Sequence, residues 1–219
     1  MSTEIKKRIN TGFLLLLVLT LMFISKIFYL FISLAVFALA IIEFSKISKM
    51  IYRKKPINQF FSNTAFSLYM FFILMIFIIS INDVHLKIIL FMILLICVAS
   101  DIGGIFFGKI FKGPKLTSIS PKKTFTGSLG SFIFSILTST ILLSYIFNTN
   151  QIDNILLGFL ISLSVQIGDL FFSFLKRKSS IKNTGNILPG HGGILDRIDG
   201  IILGIPIGIL FVLILVFTK

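Results

Sequence analysis

The stretch TGFLLLLVLTLMFISKIFYLFISLAVFALAIIEF, Thr11 to Phe44, decides how the chain must be read. As a single helix its 34 residues would run about 51 Å, against a hydrocarbon layer of about 30 Å. The polar pair Ser25-Lys26 is therefore expected to divide it into two short spans, 9–24 and 27–45. Apolar runs at 62–81, 86–106, 128–147, 152–174 and 199–218 bring the total to seven. The expected fold is all-α, a polytopic transmembrane helix bundle of about seven spans with a cytoplasmic N-terminus. It is read as one integral membrane domain, 1–219, with N-terminal helices in 1–100 and a half with two cytoplasmic motif loops in 101–219.

Composition agrees. Of 219 residues, 56% are hydrophobic and 13% charged, with a mean hydropathy of +1.03. A soluble domain has about 45–50% apolar and about 25% charged residues, so this chain lacks the polar side chains to cover a water-facing surface. Most cytosolic enzyme classes are thereby excluded. The 21 Lys and Arg exceed the 8 Asp and Glu by 13. In so apolar a chain that surplus points to cytoplasmic loops near anionic lipid and away from nucleic acid. The single cysteine, Cys97, allows no intramolecular disulfide. The basic opening Lys6-Lys7-Arg8 leads into an apolar run without a small-residue cleavage site, so the expectation is a first transmembrane helix and not a removed signal peptide.

Charge placement tests the division at Ser25-Lys26. With seven spans and the N-terminus inside, 18 of the 21 cations fall on the inner side, leaving Lys26, Lys87 and Lys219 outside. Merging the first two spans would place Lys6, Lys7 and Arg8 opposite the other basic loops, contrary to the positive-inside rule. The two long inner loops, rich in polar chemistry, should carry the function.

A carboxylate in or beside hydrocarbon costs several kcal/mol unless it is paired or binds metal, so each of the eight acids carries information. Glu4, Asp83 and Asp153 read as solvated charges, and Glu43 as an i,i+3 ion pair with Lys46. Asp101 and Asp169 sit at the cytoplasmic ends of their spans, and Asp196 and Asp199 open the last one. The i,i+3 spacing of the latter two would put both on one helical face. Two explanations compete for this cluster: neutralisation of Lys109, Lys176, Arg177 and Arg197, or a divalent cation that takes one or two carboxylates together with substrate phosphates.

The first loop, Asp101 to Gly127, reads DIGGIFFGKIFKGPKLTSISPKKTFTG. Gly103, Gly104, Gly108 and Gly113 allow close backbone approach, and Ser120-Pro121 turns the chain. Lys122-Lys123-Thr124 then supplies cations and a hydroxyl just before a helix start, where an anion is favoured. A basic segment touching lipid headgroups would read the same way. The spacing of a phosphate-binding GxxxxGK[ST] loop is missing. The second stretch, Gln166 to Gly200, holds Pro189-Gly190-His191-Gly192-Gly193 three residues before Asp196. A lone His in such a turn is more often structural than catalytic, and two His with one buried Cys do not make a zinc site.

These residues carry a resemblance. Ser173-x-x-Lys176-Arg177, Lys182, and Pro189-Gly190-His191-Gly192-Gly193-x-x-Asp196-Arg197-x-Asp199 resemble the signature of the phosphatidate cytidylyltransferases, also called CDP-diacylglycerol synthases. Gln166-x-Gly168-Asp169-Leu170 is similar too, as is Asp101…Gly108-Lys109…Ile119-Ser120-Pro121-Lys122-Lys123-Thr124-x-x-Gly127. The resemblance covers roughly the C-terminal half, with Arg8, the first two helices and Glu43 fitting more loosely. Thr126, Phe172 and Asn183 stand where the family usually has acids, and Lys112-Gly113 exchanges a Gly and a Lys.

The resemblance implies CTP + phosphatidate → CDP-diacylglycerol + pyrophosphate, at a cytoplasm-facing site of the inner membrane. It implies Mg²⁺, with room for a second cation, on Asp169, Asp196 and Asp199. Lys176, Arg177 and Ser173 are expected to complete the catalytic group. Asp101, Lys109, Ser120, Lys122, Lys123, Thr124, Lys182, His191 and Arg197 are expected to bind substrate. The expected partners are CTP, phosphatidate and membrane lipids, without nucleic acid, and the chain could form a homodimer. Two other classes compete: a CTP-dependent lipid-alcohol kinase, which would release CDP, and a cation transporter, which would need acids deep within its spans.

Overall fold

The computed structural model describes residues 17–147, 149–185, 187 and 192–218. The described part of a first helix, α1 (17–24), is followed by α2 (Lys26–Ile51), α3 (Pro56–Ser80), α4 (Val84–Phe111), α5 (Phe125–Phe147), α6 (Gln151–Lys178), the single turn α7 (Leu195–Ile198) and α8 (Ile201–Thr218). Among the described residues six helices are long and apolar enough to cross a membrane, which makes this an all-helical polytopic architecture. Ile27, Phe31, Phe72, Ile105, Ile141 and Phe217 are exposed, as outward-facing side chains of such helices should be where the surroundings are lipid.

The division expected at Ser25-Lys26 is present. Ser25 leaves the helical region with φ −113° and ψ 121°, and its hydroxyl accepts a long bond from the Phe28 N–H, capping α2. The rest of the first expected span, 9–16, lies outside the described residues. The other expected spans are all present and most run longer, because a helix continues past hydrocarbon while its backbone bonds are met: α3 starts at Pro56, suited to a first turn by its fixed φ.

The chain forms two compact units. The first comprises the described parts of Met1–Val84 and Leu175–Ile198. In it α2 and α3 run antiparallel, joined by the Tyr29–Ser80 hydroxyl pair at 2.6 Å, by Phe37 set edge-on to Phe77, and by Phe44 stacked on Phe66. The second comprises the described parts of His85–Phe174 and Asp199–Lys219. Its helices meet through small residues. A side chain at Gly103 or Gly130 would strike the facing helix of the α4–α5 pair, and one at Gly204 or Gly208 of α8 would strike Cys97 or Ile93 of α4. Between apolar helices in lipid, close backbone approach of this kind replaces the hydrophobic drive that water supplies elsewhere.

The glycines of the first motif loop change meaning accordingly. Residues 101–111, expected as loop, are the last three turns of α4. Gly104 and Gly108, four apart, lie on one face and pack on Gly127 of α5, so most of this glycine-rich run builds a helix crossing and not an anion cradle.

Candidate active site

The true connection from α4 to α5 is Lys112 to Thr124. Lys112 turns the chain in the left-handed region at φ 41°. Lys115 and Thr124 then pair as an isolated antiparallel bridge, with the Leu116 N–H donating to the Lys123 carbonyl and a turn closed from the Lys123 N–H to the Ser120 carbonyl. Thr124 caps α5: its hydroxyl accepts the Gly127 N–H at 3.1 Å. Thr126, one of the residues in place of an acid, accepts the Gly113 N–H at 3.2 Å, so its hydroxyl takes over a local structural bond.

This short hairpin delivers one cation to one carboxylate. Lys123 Nζ lies 2.6 Å from Asp169 Oδ2, and both side chains are about a quarter exposed, 27% and 26%. Asp169 is fixed from behind. Gly168, beside it on α6, packs against the backbone of Asp199 and Gly200 so closely that no side chain fits. One turn earlier, Gln166 accepts from the Ser128 hydroxyl and donates to Ser162, whose hydroxyl meets that of Ser100. These bonds form a continuous polar chain inside the second unit. Asp199 is buried at 9% exposure, and its Oδ1 accepts the Gly200 N–H.

In the first unit, Lys176 Nζ lies 2.9 Å from Asp196 Oδ1, with side chains only 14% and 9% exposed. Asp196 Oδ2 accepts the backbone N–H groups of Thr184 at 2.8 Å and Gly193 at 3.1 Å. Gly192 sits at φ +85°, and any side chain there would meet this carboxylate. Behind the segment lies Glu43 of α2, 1% exposed. It accepts from the Thr184 hydroxyl at 2.7 Å and from the N–H groups of Ile194 and Leu195 at 3.0 and 2.9 Å. The expected Glu43–Lys46 pair gives way to these bonds, because a buried carboxylate needs donors held in place and Lys46 is only a local neighbour.

The remaining site residues fall as follows. Ser173 lies one turn beyond Asp169 on α6 and is partly buried. Asp101 is partly buried near the end of α4, and Ser120 is partly buried in the hairpin. Lys109, Lys122, Arg177, Lys182 and Arg197 are exposed. His191 lies outside the described residues. Asp196 and Asp199 do not share one helical face, because α7 ends at Ile198 and Asp199 is in the turn before α8. Sequence reasoning gives Glu43 the wrong partner and misses Thr184. The available signal was that Glu43 is the sole carboxylate in the 26 residues of α2, and such a group should have a dedicated partner.

The donor set can be tested against magnesium, which favours one or two carboxylates completed by water and phosphate oxygens. Among the described residues no three His, Cys, Asp or Glu side chains gather into an all-protein cage. Asp169 engages only one oxygen with Lys123, which leaves the other for a cation shared with phosphates, whereas Asp199 meets Gly168 through its backbone and turns Oδ1 to the Gly200 N–H. Asp196 differs, since both of its oxygens are engaged by Lys176 and two backbone donors.

The sequence matches the cytidylyltransferase family over residues 5–215. A phosphatidate cytidylyltransferase of Helicobacter pylori is 42% identical over 113 residues, which is 51% of this chain and 42% of that protein. One from Mycobacterium bovis is 40% identical over 113 residues, 51% of this chain and 37% of its own length. One from Rickettsia typhi is 44% identical over 108 residues, 46% of this chain and 47% of its own length. The matched stretch thus spans less than half of each relative. The kinase and transporter alternatives receive no support from these matches.

Proposed function

Because this chain belongs to the cytidylyltransferase family, we propose that it joins CTP to phosphatidate, giving CDP-diacylglycerol and pyrophosphate. The observation that carries this reading is the pair of lysine–carboxylate contacts, Lys123–Asp169 and Lys176–Asp196, both within the motif-bearing half of an apolar chain. A reaction between two anions needs such fixed cations beside carboxylates.

The chemistry follows from the residues. An ionised phosphate oxygen of the lipid attacks the α-phosphorus of CTP; the new P–O bond forms as the bond to the β-phosphate oxygen breaks and pyrophosphate leaves. No general base is required, because the nucleophile carries no proton to remove at its attacking oxygen. Lys122, Lys123, Lys176 and Arg177 act as counter-charges for the triphosphate and the lipid phosphate. Exposed Lys109, Lys182 and Arg197 attract the nucleotide from solution. Asp169 and Asp199 would hold Mg²⁺, and Asp196 would ligate metal only on releasing Lys176. When bound, the ion offsets repulsion between the reactants and polarises the phosphates. The lipid's acyl chains remain in the bilayer. The 18-to-3 division of cations supports a cytoplasmic placement of these residues in the inner membrane.

The test is to supply CTP and phosphatidate to sealed membrane vesicles containing the protein. Pyrophosphate and CDP-diacylglycerol should form with Mg²⁺, in inside-out but not right-side-out vesicles. Release of CDP in place of pyrophosphate would mean a kinase, and equal rates in both vesicle types would reject the orientation.

A further inference from the structure

We infer that Glu43 is a positioning residue: its buried carboxylate clasps Thr184, Ile194 and Leu195 and through them fixes Asp196 and Lys176. The inference rests on the proposed reaction for its catalytic consequence and on geometry for the clasp. Two carboxylates share one short run of backbone in alternation. Gly193 N–H donates to Asp196, whereas the next two N–H groups, of Ile194 and Leu195, donate to Glu43. Thr184 serves both, its N–H on Asp196 and its hydroxyl on Glu43. Neither acid can shift without pulling donors from the other, and Asp196 in turn holds Lys176.

Two glycines make room for the arrangement. A side chain at Gly185 would meet Glu43 Oε1, and one at Gly193 would overlap the Glu43 carboxylate and the Thr184 hydroxyl. A residue serving stability alone at this depth would be better apolar, since replacing buried charged groups by well-packed hydrocarbon is often neutral or stabilising. A carboxylate here gives what hydrocarbon cannot, namely directional fixation of three donors, on Thr184, Ile194 and Leu195.

The experiment combines turnover with hydrogen–deuterium exchange on the full-length protein. Glu43→Gln keeps the shape but turns one acceptor oxygen into a donor facing donors. It should lower kcat about 10–100-fold, the usual effect of removing an outer supporting partner. KM for CTP should stay within about threefold, since no contact to substrate is removed. Exchange in the peptide 181–198 should accelerate at least about tenfold while peptides of the α2–α3 pair stay protected, marking local release and not unfolding. Glu43→Asp, which retains both oxygens, should recover part of kcat and of the protection. Unchanged exchange at 181–198 in Glu43→Gln overturns the clasp. Faster exchange with wild-type kcat overturns the positioning role. Absence of product from the wild-type protein overturns the functional reading instead, and the exchange arm still decides the clasp.

Discussion

The two lysine–aspartate pairs look equivalent in sequence and are built differently. Asp169 is held by one flexible lysine at the tip of a hairpin, a quarter exposed. Asp196 is nearly buried, met by a lysine and two backbone donors, and backed by a second acid. A pair that water reaches exchanges partners more readily than one sealed from it, because water can replace either member. A nearly buried one with both oxygens engaged is part of the scaffold, and removing a member strands the others. On the proposed reading the contrast divides the labour: Asp169 would trade its lysine for an incoming cation, and Asp196 would shape the residues that donate to it.

The largest expected effect breaks the comparison on turnover. Asp169→Asn should lower kcat at least about 100-fold, the scale on which loss of one electrostatic partner of the transition state is felt. Its thermal unfolding in detergent should change by about 1 kcal/mol, near the upper end for pairs that water reaches. Asp153→Asn, far along the same helix in its first turn, should leave CDP-diacylglycerol formation unaffected. A wild-type rate for Asp169→Asn across a Mg²⁺ titration would remove it from the site.

Next in size is the reverse pattern for Asp196→Asn. The amide retains one acceptor but strands Lys176 or the two N–H groups, so unfolding should become easier by about 3 kcal/mol, alongside slower turnover. A melting temperature equal to that of Asp169→Asn would erase the distinction drawn between the pairs. The smallest effect tests the hairpin that carries Lys123. Lys112 occupies φ 41°, where a side chain costs about 1–2 kcal/mol, so Lys112→Gly should stabilise the protein slightly, by less than that full amount because glycine gains freedom when unfolded. A drop in melting temperature would show that the lysine side chain contributes more than its backbone costs.

How much of this was legible in the sequence depended on the distance over which each residue acts. The break at Ser25 could be read because chain length, span length and charge side all bear on it locally. The helical glycines misled because Gly104 and Gly108 satisfy a loop reading and a helix-crossing reading equally until Gly127 is placed against them. Glu43 was paired with Lys46 for want of anything nearer, although its donors lie 141 to 152 residues away. Periodicity carries no information about such pairings. The Asp196–Lys176 pair, 20 residues apart, fell between these cases: both residues were singled out, but the partnership, and the saturation of Asp196 by backbone donors, appeared only with the fold.

That same sequence separation has a consequence for how the chain is made. The α4–hairpin–α5 crossing joins residues close in sequence and can form soon after both helices leave the ribosome. The clasp cannot, because Thr184 is synthesised 141 residues after Glu43. At about 5–20 residues per second, the acid of α2 waits roughly 7–30 s for its first permanent donor. Until then the Glu43 carboxylate must be met by water or local groups, so the bond set of the first unit cannot close before Leu195 has been made.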